Sequence, residues 1–374
     1  MSVLTRPAVL LATASAAAGL LATPGAAHAA APAQLTAAGT RAQLTAAGAP
    51  AQLTAAGTRA QLTAAGAPAQ LTAAQMAAEL DTIAAASTAA GSQGWKTVSD
   101  YTFTFPGSAT VIRGSGATQA DLVRGRYADR FTTIGFGSAD YFAVDRTGRW
   151  EPVQEQDEQR ALAMMGRASV KYAYTADAAF DLGEYLTENA PSPVAMTAGI
   201  DGGGTKVTHD DGSADLTATD EQGAGVVLHV GASGLLTGAH LAVGGGEDGT
   251  AAEVEMAFAY GPQTVTMPTG AETIPVAALA KGVAYLTMAD DVKALAGAAA
   301  TATRTKAKGG TVKVATLRKV ARNDVTSWNR TSIVKFTVKD VTGGVKVSAT
   351  NPWTKKTVAY TVKASGKKVV VKKA

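Results

Sequence analysis

The sequence predicts an α+β protein, mostly antiparallel β, ending in a small, basic, β-rich region. Three observations predict it. Segments such as Tyr101-Thr102-Phe103-Thr104-Phe105 alternate apolar and polar residues with the two-residue period of a half-buried strand. These segments follow one another closely, separated by Gly and Asp turns at 201–204, 209–212 and 244–249, a spacing that suits hairpins and leaves no room for crossover helices. The third observation is charge. Residues 301–374 hold 18 Lys and Arg against two acids, Asp324 and Asp340, a net +16, which leaves 16 basic and 28 acidic residues in the first 300, a net −12.

The elements follow in order. Met1 to Pro7 carries one charge, Arg6. An apolar run then spans Ala8 to Ala22, followed by Pro24 and the small-residue pattern Ala27-His28-Ala29. This is the pattern of a cleaved signal peptide over 1–29, too short and too rich in Ala and Ser for a comfortable membrane span. Export is therefore expected, with no later transmembrane segment. Over 30–70 a nine-residue unit, AQLTAAGTR or AQLTAAGAP, starts at Ala33, Ala42, Ala51 and Ala60, and a fifth copy, AQLTAAQ, starts at Ala69. A unit of nine with one Leu buries little, so 30–70 reads as a low-complexity spacer.

A main domain is expected over 71–300. Leu71, Met76, Leu80 and Ile83 fall on one face of a helix over 71–90, stopped by Gly91 and Gly94. Strands are expected at 101–105, 109–113, 121–127, 129–136 and 139–145, then helices at 154–165 and 176–188. Strands resume at 194–200, 204–209, 213–219, 225–231, 234–243 and 251–259, and 272–300 reads as helix in two pieces. From Thr311 onward the pattern becomes β-like again, as in TVKVATLRKV, SIVKFTVKDV and KKVVVKKA.

Catalysis finds little support. The chain has no cysteine, which removes disulfides, thiolate metal sites, a cysteine nucleophile and a lipid-modified amino-terminal cysteine. His209, His229 and His240 have no metal-binding spacing. Gly231-Ala232-Ser233-Gly234 lacks the second glycine of a nucleophile elbow. Asp210 to Asp215 reads as a hairpin turn, not a calcium loop, and Gly202-Gly203-Gly204 precedes a strand where a phosphate loop would precede a helix. Alternation puts Glu253 and Glu255 on a solvent face. No metal and no cofactor is expected, and a hydrolase using His209 or His229 is the weakest reading.

A resemblance adds to this. Tyr141-Phe142-Ala143-Val144 with Gly148 and Trp150, a helix around Phe180 to Leu186, and Tyr260-Gly261-Pro262 followed by Val265 and Pro268 resemble the lipid carriers of the LolA-like and LppX/LprG-type lipoprotein family, over residues 70–285. The resemblance implies a curved antiparallel half-barrel covered by helices, an apolar cavity between them, and no catalytic residues. The chain departs from those lipoproteins in lacking the cysteine and in carrying the repeat and the basic region.

The side chains expected to line such a cavity are Phe103, Phe105, Phe131, Phe136, Phe142, Val144, Val227, Met256 and Phe258, taken as one strand face; the sequence leaves open which face points inward. The expected ligand is a lipid or another apolar small molecule. The Lys and Arg of 301–374 suit anionic cell-envelope polymers or lipid head groups, and nucleic acid is a poor partner for an exported chain. The alternative is an envelope surface protein with a solid β domain and no ligand, held through its basic region.

Overall fold

The computed structural model of the protein describes residues 66–105, 111–133, 137–144, 147–219, 224–243 and 251–374. The expected signal peptide, the first three repeat copies and most of the fourth lie outside them. The chain divides into two compact units. Among the described residues the first comprises 66–151 with 176–267, and the second comprises 152–175 with 268–374.

The first unit is built on one open, curved sheet. Its strands are β1 (Ala69–Leu71), β2 (Gly94–Thr104), β3 (Val111–Asp121), β4 (Arg126–Thr133), β5 (Gly137–Val144), β6 (Gly148–Pro152), β8 (Gly204–Thr208), β9 (Ala214–Thr219), β10 (Gly225–Val230), β11 (Leu236–Val243) and β12 (Ala251–Tyr260). Their spatial order is β1-β8-β9-β10-β11-β12-β2-β3-β4-β5-β6. Two hairpin meanders therefore meet where β12 pairs with β2, antiparallel, from Ala251↔Thr104 to Tyr260↔Trp95.

Helix α1 (Ala73–Ala90) covers the β8–β12 half. It starts where it does because the fifth repeat copy differs from the others at one position. Gln75 replaces the glycine of the earlier copies and sits at the third helical position, where it completes a capping box. The Gln75 amide donates to Thr72 Oγ1 (3.3 Å) and the Thr72 amide donates to Gln75 Oε1 (2.9 Å). Met76, Leu80 and Ile83 then bury against Leu216, Leu228, Leu236, Ala239, Met256 and Phe258. Lys206 on β8 anchors Glu79 at 2.7 Å.

Helix α3 (Leu182–Asn189) covers part of the β2–β5 half, packing Leu182, Tyr185 and Leu186 on Trp95, Ala120, Tyr127 and Ala143. An open antiparallel sheet with helices over one face is the arrangement that the LolA-like resemblance implies.

The second unit has two clusters of its own. Helix α2 (Gln156–Met164), strand β7 (Tyr172–Ala176), strand β13 (Thr273–Pro275) and helix α4 (Val276–Ala284) bury Leu162, Val170, Ala173, Ile274 and Leu279 together, with β7 and β13 parallel. Helices α5 (Met288–Ala307) and α6 (Val314–Thr331) pack on one face of a four-stranded antiparallel meander. The meander is β14 (Phe336–Val341), β15 (Gly344–Thr350), β16 (Thr357–Ser365) and β17 (Lys368–Lys373). Leu295, Leu317, Val345, Val347 and Val362 form its dry centre.

Three expected elements differ. TVKVATLRKV is the start of a helix, because Leu317, Val320, Ala321 and Val325 recur at helical spacing beyond the apparent strand and bury together. Residues 194–200 contain a short 3₁₀ turn and no strand. Residues 111–113 and 121 are the two ends of one long strand, β3, and 122–127 are its turn and the start of β4, since Gly114 and Gly116, which read as breakers, lie within β3.

Replacing Leu317, fully buried in the second unit, by alanine should cost about 2–5 kcal/mol. Hydrogen exchange resolved by peptide should show the loss across 288–371 and leave the protection of 94–121 within twofold of wild type (about 0.5 kcal/mol).

Candidate functional site

Alternation along each strand fixes two faces, and the register sorts the side chains into rows. On the helix-covered face one row reads Tyr260, Trp95, Ala120, Tyr127, Ala143. The next reads Phe258, Thr97, Thr118, Asp129, Tyr141, and the one after it Met256, Ser99, Gly116, Phe131, Ala139. Beyond these come Val254, Tyr101, Gly114, Thr133, and then Ala252, Phe103, Ile112. Helix α3 has 8 residues and is only about 12 Å long, whereas β2 and β3 with 11 residues each reach about 36 Å. The α3 cluster accordingly stops at the Trp95 row.

Past that row Thr97, Thr118, Ala139 and Thr133 are buried, and the aromatic rings of Tyr101, Phe105, Phe131 and Tyr141 among and beyond them are partly exposed. Phe131 and Tyr141 stack with ring centroids 5.8 Å apart. Tyr101 packs edge-on against Phe103 at 5.7 Å, and Tyr101 and Phe105 lean on a small cluster of Phe103, Ile112 and Ala252. Between the two groups the floor is low. A Cβ at Gly114 would collide with the Tyr101 ring, and one at Gly116 would meet Ser99 Oγ at 2.6 Å. The glycines that resemble strand breakers are what let Tyr101 lie flat across β3, its hydroxyl paired with Thr133 Oγ1 at 2.8 Å.

A carboxylate stands beside this surface. Asp129 Oδ1 accepts a hydrogen bond from Thr118 Oγ1 (2.9 Å), and Asp129 takes part in no ion pair among the described residues. Burial raises its pKa to about 6, the Thr118 hydrogen bond opposes the shift, and Asp140 adds a smaller push upward. Three phenols surround it. Burial lifts the pKa of Tyr127 well above its usual value, that of Tyr141 upward, and that of Tyr185 to about 12, and the Asp129 charge adds to all three shifts. Tyr127 and Tyr185 meet edge to face at 5.6 Å.

The nine expected lining residues do not share one face. Phe103, Phe131, Met256 and Phe258 are on the helix-covered face, with Met256 and Phe258 buried under α1 and Phe105 partly buried beside Phe103. Phe142, Val144 and Val227 point the other way, because they are one residue out of step with Ala143 and Leu228 on a period of two. Phe136 lies outside the described residues. Asp129 and Tyr141 are not among the expected lining residues. Their signal was the alternation Tyr127, Asp129, Phe131, Thr133, which is hidden when 127 and 129 are assigned to different strands.

The opposite face gathers the three histidines of the described residues. His209 Nε2 lies 3.1 Å from Asp215 Oδ2, and His229 Nδ1 lies 2.7 Å from Asp215 Oδ1. His229 Nε2 lies 4.0 Å from Glu255 Oε1, and His240 Nδ1 lies 2.8 Å from Glu255 Oε2. Antiparallel pairing of β9, β10, β11 and β12 aligns this chain, which sequence spacing alone does not show. His240 also borders a shallow groove of about 250 Å³ with Thr205, Thr217 and Val227. Among the described residues no three ligating side chains converge to hold a metal ion. As expected, Glu253 and Glu255 are exposed.

No protein-family description matches the chain, and no curated protein matches it. Several solved structures are similar in part. An uncharacterized conserved protein from Thermus thermophilus is 11% identical with a TM-score of 0.28, over 53% of this chain and 97% of that one. A LolA superfamily protein from Nitrosomonas europaea is 9% identical with a TM-score of 0.24, over 52% and 96%. A DUF1329 family protein from Desulfovibrio piger is 8% identical with a TM-score of 0.22, over 50% and 94%.

The His229–Asp215 pair fixes a pH dependence. The hydrogen bond to Asp215 holds the His229 pKa above its usual 6.5, so its contribution is complete below that value and is lost as pH rises through the raised one. Asp215 is held below its usual 3.8, chiefly by His229, so its contribution is present above that value and is lost as pH falls through the lowered one. Stability of the first unit should therefore decline as pH rises above about 6.5, by less than about 1 kcal/mol because the pair is over a third exposed. Thermal melts of wild type and His229→Gln check this; the variant should lose most of the decline.

Proposed function

We propose that the first unit is a non-catalytic binding module for a lipid or another apolar small molecule, working outside the cytoplasm after export. One observation carries this: the partly exposed aromatic rings of Tyr101, Phe105, Phe131 and Tyr141 on the helix-covered face, outside the cluster that α3 packs. A surface of this kind, set on a curved sheet beside low Gly and Ser positions, can take an acyl chain or a ring system. Of the expected lining residues, Phe103, Phe105 and Phe131 belong to this surface, while Met256 and Phe258 support α1. Export rests on the signal-peptide pattern of 1–29.

The second unit supports an attachment role. One row across its sheet reads Lys339, Lys346, Thr361, Lys372, on the face away from α5 and α6. The acids of 301–374 are elsewhere: Asp340 is held by Arg318 and Arg322, and Asp324 is on α6. Such a row suits an anionic surface of lipid head groups or envelope polymer, and this favours the reading in which the chain is held at the envelope.

Two measurements test these roles. Protein produced with its own leader should show a bound lipid mass by native mass spectrometry, and it should take up a fluorescent acyl probe whose affinity falls about tenfold in Phe131→Ser. A clean apo mass and no uptake would leave only the surface-protein reading. Replacing Lys339, Lys346 and Lys372 together by Gln should weaken co-sedimentation with anionic vesicles or wall polymer about 100-fold at low salt. Unchanged co-sedimentation would remove the attachment role.

A further inference from the structure

We propose that Asp129 is the polar anchor of the site on the helix-covered face and that the ligand is an amphiphile with a positively charged ammonium head. This rests on the binding reading above. The argument starts from the side chains within reach of one carboxylate. Asp129 keeps partial solvent access, takes one hydrogen bond from Thr118 and forms no ion pair among the described residues. Its neighbour in the row is Tyr141, which stacks on Phe131, and Tyr127 and Tyr185 close the other side. A carboxylate ringed by aromatic rings suits an ammonium: the carboxylate supplies the charge, and the ring faces supply cation–π contact where water is scarce.

The surrounding charges do not satisfy it. Asp140, on the neighbouring strand, lies on the opposite face, bound to Arg130 at 2.6 Å, and Arg149 is bound to Glu151 at 2.8 Å. The protein thus holds a carboxylate in a setting that raises its pKa, beside the partly exposed rings of Tyr141 and Phe131. Burying an uncompensated carboxylate is costly, and a bound cation would offset that cost. A neutral or anionic head would not. The chain of the amphiphile would run from Asp129 along the Tyr141 and Phe131 rings, in the same and the next row of that face.

Dodecylamine, dodecanol and dodecanoate, each below its micelle-forming concentration, are titrated calorimetrically into the full-length protein at about pH 7.5. The amine should bind about tenfold tighter than the alcohol, and dodecanoate should bind weakest. Asp129→Asn, which preserves shape and can keep a contact to Thr118, should lose that tenfold preference while holding the alcohol within about twofold. In wild type the preference should also fade as pH drops through about 6, where Asp129 takes up its proton; this arm needs no variant to fold. Equal affinities for amine and alcohol in wild type, or an amine preference that survives Asp129→Asn, would overturn the anchor and leave the binding module standing. Failure of all three compounds to bind would sink the binding module and the anchor with it.

Discussion

The pairing of β12 with β2 is the constraint on which the first unit depends. It is the seam between two meanders far apart in sequence, and it sets their relative phase. Because side chains alternate with a period of two, Tyr260 opposite Trp95 forces Phe258, Met256 and Val254 onto the same face as Thr97, Ser99 and Tyr101. A slip of one residue would send Met256 and Phe258 to solvent and bring Glu253 and Glu255 beneath α1. That cost, several buried side chains lost and two charges gained, is what makes the register unique. It places the Asp129 row and the chain linking His209 to His240 on opposite faces of one sheet.

Much of the second meander was legible in the sequence because turn residues and alternation agree there. Strands β8 to β12 sit where Gly and Asp turns bound alternating segments, and α1 sits where Met76, Leu80 and Ile83 repeat at helical spacing. The first meander was less legible. Gly114 and Gly116 imitate a turn, yet they lie within β3 because tertiary packing needs a side-chain-free floor under Tyr101. Helix α6 was missed for a related reason. Val312-Lys313-Val314 alternates like a strand, and only the longer spacing from Leu317 to Val325 reveals a helix.

The candidate site was legible in kind and not in detail. Aromatic residues on alternating strands announce an apolar face, so Phe103 and Phe131 could be named. Which face Phe142, Val144 and Val227 take depends on where each strand starts, and a boundary error of one residue reverses the answer. Asp129 could not be found from composition, because a lone acid in a strand normally points to water. Its significance comes from Thr118 and three tyrosines that approach it from β3, β4, β5 and α3, contacts that no local pattern encodes.

The mismatch between helix and strand lengths explains why a site can exist on this face at all. An antiparallel sheet with one apolar face must be covered, and full coverage of strands about 36 Å long needs a helix of roughly 24 residues. Helix α1 with 18 residues comes close on the β8–β12 half, and the side chains beneath it are buried. On the β2–β5 half α3 supplies 8, beginning at Asp181, which caps it by accepting from the Glu184 amide, and ending as the chain turns at Ala190 and Pro191. Thr97 fastens that end by donating to the Pro191 carbonyl at 2.8 Å. The cap and the Thr97 bond therefore fix where α3 stops, short of the partly exposed Phe131 and Tyr141 rings. Lengthening α3 would extend the core toward Phe131, whereas stopping it there leaves aromatic surface beside a carboxylate, an arrangement that costs stability and makes sense as a place for a ligand.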